Sequence, residues 1–311
     1  MQEGPKVVTV ASTCGPVLVS ADLHGNLADF ERLRDVFLAS DARGEQPVWI
    51  SVGDWVHGPP DASARDDVLD RFGKPLYAYC DETPAILEQL FALMDRFGDR
   101  VVSVLGNHEH AHIGGRRTSK FHRDEAAHLE KRLTPAAVAE LRRRFATWPL
   151  VVRIASCGVA VTHGAPVPAS VAEFEQVRFD GSGGPSSDVL HSAMVRYGFC
   201  RGEDTELLVR LSEPGCELHV LVHGHDREEE GYYPTGAAAL LLCTSFGART
   251  PRKTYLWLDR ATRYTSIAAL RDGVELRRLW PEIPDEVPDE VADEAGAAKR
   301  TRAGGDAGVT S

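Results

Sequence analysis

Apolar residues recur along this chain in short β-branched runs, each followed by a polar loop and then by residues at helical spacing. Val17, Leu18 and Val19 form the first run; beyond it Leu27, Phe30, Leu33, Val36 and Phe37 share one helical face, with Asn26 placed to cap it. Residues 47–52 read as a second strand. Thr83 and Pro84 read as a helix start, Thr83 as N-cap and Pro84 at the first helical position. Ile86, Leu87, Leu90, Leu93, Met94 and Phe97 then supply a buried face that ends at Gly98. Residues 100–105 predict a third strand, 150–155 and 159–162 a hairpin, and 218–222 a further strand. Helices are expected within 122–147, the second starting at Thr134 and Pro135, and over 203–212. Residues 239–243, 253–258, 264–269 and 273–279 return to strand-like runs. This alternation predicts an α/β layered fold. Residues 57–82, rich in Pro, Asp and Gly, are too long for an ordinary connection and make a candidate lid or substrate loop. The glycines of 181–184 lack the Gly-Lys-Ser/Thr ending of a phosphate loop and read as a linker.

Composition narrows the class. A chain of 311 residues with 43% hydrophobic and 26% charged residues can build one large soluble domain or two small ones. No run approaches the roughly 18 apolar residues of a membrane span, and the first ten residues lack a signal-peptide pattern. Six scattered cysteines without a Cys-x-x-Cys pair suit a reducing compartment, so a cytoplasmic location is expected. The net charge of −11 argues against a nucleic-acid duplex as partner. Eight acidic and three basic residues lie from Glu282 onward, leaving −6 for residues 1–281. That last stretch cannot bury a core, so the expected organisation is an extension over 1–15, a domain over 16–280 and a disordered acidic tail over 281–311.

The chemistry sits at the strand ends. Five blocks appear in order: Asp22-Leu23-His24-Gly25-Asn26, Gly53-Asp54, Gly106-Asn107-His108-Glu109, His163-Gly164 and His223-Gly224-His225. Each follows a predicted strand, and ligands of open α/β sheets collect beyond the carboxyl ends of strands. Asp, Asn and neutral His are the oxygen and nitrogen donors that hold divalent cations, and a pair of such ions about 3.5–4 Å apart is a recurring device for phosphate ester cleavage. Asp22 and His24 alternate along an extended segment and can serve one ion together. Asp54 is the candidate bridge; Asn107, His163 and His225 would complete the second ion. His108 diverges from Asn107 and can face the substrate as general acid. A lone Asp at a strand end is usually a turn former, so the weight lies on the joint occurrence. Glu109, His110 and His112 read as surface or supporting groups; His122, His128, His191 and His219 and the run Arg142 to Arg144 read as solvated.

These blocks resemble the calcineurin-like metallophosphoesterase superfamily, and within it the bacterial-type phosphoprotein phosphatases. The resemblance implies a four-layer α/β/β/α sandwich, two divalent ions (Mn²⁺ first, with Fe, Zn²⁺ or Co²⁺ compatible) and attack of a metal-bound hydroxide on a phosphomonoester. A phosphorylated protein or a small phosphoester is the implied partner, with no membrane involved. The chain departs from the family pattern where Asp-Arg-Gly gives way to His57 and Gly58, and where a phosphate-gripping Arg gives way to Leu105. His57 can hydrogen-bond to His108 or contact solvent near the metals, without being an anion. Arg196, or else Arg201, is the expected equivalent of a third family Arg, and Arg116 and Arg117 are candidate substitutes for the missing clamps; changing both is expected to cost more turnover than changing Arg142 and Arg143. Two alternatives accompany this reading: a nucleotide phosphoesterase acting on diadenosine tetraphosphate or a cyclic phosphodiester, and a metal-binding scaffold that has lost catalysis.

Overall fold

The computed structural model describes residues 3–60, 69–180 and 186–285. Its eleven strands form two sheets. The five-stranded sheet runs β11 (Leu276–Arg278), β10 (Thr254–Asp259), β2 (Pro16–Ser20), β3 (Val48–Ser51) and β4 (Val101–Ser103), with β2, β3 and β4 parallel. The six-stranded sheet runs β1 (Val7–Val10), β5 (Val151–Ile154), β6 (Val159–Thr162), β7 (Val220–His223), β9 (Ala239–Leu242) and β8 (Tyr232–Pro234). Residues 7–10, assigned from sequence to an extension, supply β1, which pairs parallel with β5.

Side-chain alternation explains the layering. Val17 and Val19 of β2, with Val48 and Ile50 of β3, pack against Val159, Val161, Val220 and Val222 of the opposite sheet. Leu18 and Trp49, one residue out of phase, point the other way, toward Phe30, Leu33 and Phe37 of α1 (Leu27–Ala42). Ala160, Leu221 and Ala239 likewise face a helical layer that includes α8 (Glu203–Leu211). Strands buried on both faces read as continuous apolar runs for this reason. The result is the expected four-layer sandwich, two sheets between layers of helix.

The caps follow the sequence, with one exception. Asn26 accepts from the Asp29 N–H and Thr134 from that of Ala137, at the starts of α1 and α5 (Pro135–Phe145). Thr83 does not cap α2 (Thr83–Phe97): Glu82 holds that position, because the Thr83 hydroxyl is engaged by the His57 N–H and by Asp81. The strand expected over 264–269 is also corrected. Tyr264 turns into the core between the sheets, its hydroxyl accepting from the Asp259 N–H, and 267–269 closes as a 3₁₀ turn. Within the candidate lid, residues 61–68 lie outside the described residues; Tyr77 stacks flat on Phe246 beside His24. The expected tail lies outside them beyond Asp285, whose carboxylate accepts from Arg249, and so do the linker residues 181–184. No helix among the described residues is long and apolar enough to cross a membrane.

Candidate metal centre

All five blocks end up at one rim of the sandwich, just past the carboxyl ends of β2, β3, β4, β6 and β7. The turns that carry them are strained. Six described non-glycine residues have positive φ, and five are Asp22, His24, Asp54, His57 and His225. Left-handed backbone is costly for residues with a side chain, and such strain gathers at functional sites. Two glycines allow the close approach: a Cβ on Gly106 would meet the Asp54 Oδ1 at 2.2 Å, and one on Gly224 the Asp22 Oδ2 at 2.1 Å.

Asp54 is the centre of the arrangement. Its Oδ2 lies 3.5 Å from the His24 Nε2 and 3.6 Å from the His163 Nε2. Backbone acceptors fix both tautomers. The His24 Nδ1–H donates to the His57 carbonyl at 3.1 Å, and the His163 Nδ1–H to the Val52 carbonyl at 3.0 Å. Each Nε2 therefore presents a lone pair toward the carboxylate. The His163 Nε2 also lies 2.9 Å from the Asn107 Oδ1 and 3.1 Å from the His225 Nδ1, and Asn107 and His225 are 3.1 Å apart. A ring nitrogen and an amide oxygen, both acceptors, face each other without a proton between them. That electron-rich nest fits a divalent cation, because a buried cluster of acceptors is otherwise repulsive. Asp22, also buried, accepts from the His225 N–H at 3.1 and 3.2 Å.

Comparison with known proteins bears on what such a nest serves. The model of the calcineurin-like phosphoesterase family matches residues 15–237. The chain belongs to the calcineurin-like phosphoesterase family. Its members bind divalent metals and hydrolyse phosphoesters, so this phosphoesterase is a metal-dependent phosphoric ester hydrolase. Among solved structures it is similar to a Saccharomyces cerevisiae protein serine/threonine phosphatase described as similar to human PP5, at 12% identity and TM-score 0.51, covering 79% of this chain and 72% of that one. A protein described as a diadenosine tetraphosphatase aligns at 18% identity and TM-score 0.41, covering 82% and 94%. A cold-active protein-tyrosine phosphatase of a Shewanella species aligns at 16% and 0.49, covering 84% and 79%. These likenesses concern the fold. No curated protein matches the chain.

Electrostatics of the phosphoesterase site follow from burial. Loss of solvent pushes the Asp54 carboxyl up to about 7, against the pull of Lys120 and the His108 N–H. Burial, then the neighbouring Asp54, hold Asp22 well above the usual carboxylate range. Burial lowers His163 to about 3 and His225 to about 2. Divalent ions held here would add to the positive charge of Lys120 beside the carboxylates, with the lone pairs of neutral imidazoles to bind them.

His108 stands at the rim of the nest, its Nε2 3.9 Å from the Asp54 Oδ2. Glu109, read from sequence as a supporting group, lies beneath it. Its carboxylate accepts from the N–H groups of Asp54 (2.9 Å), Trp55 (2.8 Å) and Gly106 (3.2 Å) and so clamps the second block to the third. His57 hydrogen-bonds to His108 as expected, Nδ1 to Nδ1 at 2.9 Å. An open cleft of about 910 Å³ adjoins the centre, lined in part by His108, Arg116, Arg117, Lys120, Tyr197 and His225. Arg117 also pairs with Asp124 at 3.0 Å. Arg196 is held by Glu203 and lines a separate side cleft instead.

Sequence reasoning missed Lys120. Its Nζ lies 3.5 Å from the His24 Nε2 and 3.6 Å from the centre of the Phe246 ring. No motif marks it; only its place after the third block, near Arg116 and Arg117, could have drawn attention. Arg142, read as solvated, is exposed and holds Glu130 at the surface with two nitrogens.

Proposed function

We propose that this chain is a phosphomonoesterase whose reaction takes place beside a pair of divalent ions, Mn²⁺ being the first candidate, with phosphoserine or phosphothreonine proteins as substrates. One ion would be held by Asp22, His24 and Asp54, the other by Asp54, Asn107, His163 and His225. The observation that carries this reading is the single Asp54 oxygen that lies 3.5 Å from the His24 Nε2 and 3.6 Å from the His163 Nε2. When bound, the ions lower the pKa of water toward neutrality and neutralise phosphate charge.

The remaining tasks belong to side chains. Lys120, with Arg116 and Arg117 on the cleft wall, supplies positive charge for the phosphate oxygens where the family's clamping arginines are missing. His108 offers its Nε2 to the leaving-group oxygen. The wide mouth of the cleft suits a phosphate presented on a protein surface. A substrate screen with Mn²⁺ tests the assignment: phosphopeptides should be cleaved, and Asp54→Asn should abolish both that cleavage and hydrolysis of a generic aryl phosphate. Preferential cleavage of diadenosine tetraphosphate or a cyclic phosphodiester would replace the protein substrate by a nucleotide. Full aryl phosphatase activity in the Asp54→Asn protein would refute the centre itself.

A further inference from the structure

Behind His108, on the side away from the metal centre, two further imidazoles and a carboxylate stand in line. The His108 Nδ1 is 2.9 Å from the His57 Nδ1, the His57 Nε2 is 2.9 Å from the His112 Nε2, and the His112 Nδ1 is 2.9 Å from the Glu130 Oε1. The three rings are buried, with 2–5% of their surface exposed; Glu130 reaches the surface, where Arg142 holds it. The row draws on three segments: the loop after β3, the turn after α3 (Asn107–His110), and α4 (Glu125–Arg132).

Hydrogen-bond arithmetic leaves this row one arrangement. A carboxylate only accepts, so the His112 Nδ1 must carry the proton. A neutral imidazole has one N–H, so the His112 Nε2 accepts and the His57 Nε2 donates to it. The His57 Nδ1 is then a lone pair, and the His108 Nδ1–H donates to it. The opposite polarity would require the proton of a carboxylic acid at Glu130, against the adjoining Arg142. Two neighbours agree with this assignment. The Thr118 hydroxyl lies 3.4 Å from the His57 Nδ1, where it can donate, and the Glu125 Oε2 lies 3.5 Å from the His108 Nδ1, on the side of its proton. The Glu125 Oε2 has no hydrogen-bond partner of its own.

We infer that Glu130 is a positioning residue that acts at a distance, through His112 and His57, to fix the proton of His108 on Nδ1 and so leave its Nε2 as the atom that takes a proton from solvent water and passes it to the leaving-group oxygen. A neutral row of imidazoles ending in a carboxylate thereby does at three removes what a single adjacent anion does elsewhere for a histidine. The inference rests on the proposed role of His108, but the tautomer itself is a property of the metal-free protein.

Two readouts test it. In the metal-free protein with ¹⁵N-labelled histidine, His108 should show a protonated Nδ1 and a bare Nε2, and Glu130→Ala should convert it to a mixture of tautomers. In the Mn²⁺-loaded protein, Glu130→Ala should lower kcat on an alkyl phosphate about tenfold, a part of the roughly 10²–10⁴-fold that general acid–base catalysis contributes, with KM little changed. The loss should be under about twofold on a dinitrophenyl phosphate, whose leaving group needs no proton. In a His57→Gly background, where the row is already cut, Glu130→Ala should have no further effect. Arg143→Ala, which removes a nearby surface pair with Glu140, should leave both readouts unchanged. An unaltered His108 tautomer in Glu130→Ala would overturn the inference, as would a full Glu130 effect in the His57→Gly background. Absence of any phosphoester hydrolysis by the parent protein would refute the proposed function, and the NMR comparison would still judge the row.

Discussion

Lys120 illustrates how one side chain can stand in for several. It lies in a turn between Arg116–Arg117 and Glu125, and burial lowers its pKa while Asp54, Asp22 and Glu125 pull the other way. A flexible point charge of this kind neutralises phosphate without the bidentate geometry of a guanidinium. Lys120→Ala is therefore expected to raise KM for an aryl phosphate and lower kcat/KM by about ten- to hundredfold, in keeping with the loss of a charge-assisted hydrogen bond of about 1.5–3 kcal/mol. Arg116→Ala with Arg117→Ala should cost less, because Arg117 is partly engaged by Asp124. Steady-state kinetics of the variants decide the order; equal effects would make the cleft wall, rather than Lys120, the main anion site.

Each element that delivers a ligand also depends on a neighbour to hold its turn. The Glu109 carboxylate gathers backbone N–H groups from both the Asp54 and Gly106 turns in a place without solvent. Glu109→Ala would orphan them. Each buried unsatisfied group costs about 1–3 kcal/mol, so a loss of about 3 kcal/mol or more in denaturant unfolding is expected, together with weaker metal binding. The strands and the candidate ligands past their ends were legible because β-branched runs and Asp, Asn and His at their ends leave a local signature. Asn26, Thr134 and Gly98 announced their helix ends in the same way. The connections behind the site were not legible. Glu125, Glu130 and Lys120 belong to a charged stretch that looks like ordinary solvated surface, and only the packing of α4 against the third block turns them inward. His57 illustrates the mixed case: its contact with His108 was one of two options implied by its place in the second block of the family pattern, whereas His112 and Glu130 beyond it are visible only in three dimensions. Thr83 and residues 264–269 departed from expectation because a tertiary partner, His57 in one case and the Cys157 carbonyl that accepts from the Tyr264 N–H in the other, competed with the local preference.

Taken whole, the molecule is two sheets that bury carboxylates and neutral imidazoles together at one rim, and its stability should report that. A carboxyl whose folded pKa exceeds its unfolded value retains a proton that the unfolded chain has lost, so the folded state weakens as pH rises through that interval. Burial raises Asp54 to about 7, and burial with the charge of Asp54 raises Glu109 to about 8. The lowered histidines act oppositely, losing stability as pH falls below about 6.5, where the unfolded imidazoles charge. Metal-free protein should therefore be most stable near pH 6.5, and its Tm should fall toward pH 8. Divalent cations should remove that fall, adding about 3 kcal/mol at a hundredfold excess over Kd. A Tm that rises toward pH 8 without metal would contradict this balance of charges. The central claim, that Asp54 joins two ions, is tested most directly by anomalous diffraction from crystals grown with Mn²⁺. Two peaks about 3.5–4 Å apart are predicted on either side of the Asp54 carboxylate, one against Asp22 and His24, the other against Asn107, His163 and His225. A single peak, or ions that do not touch Asp54, would contradict the account.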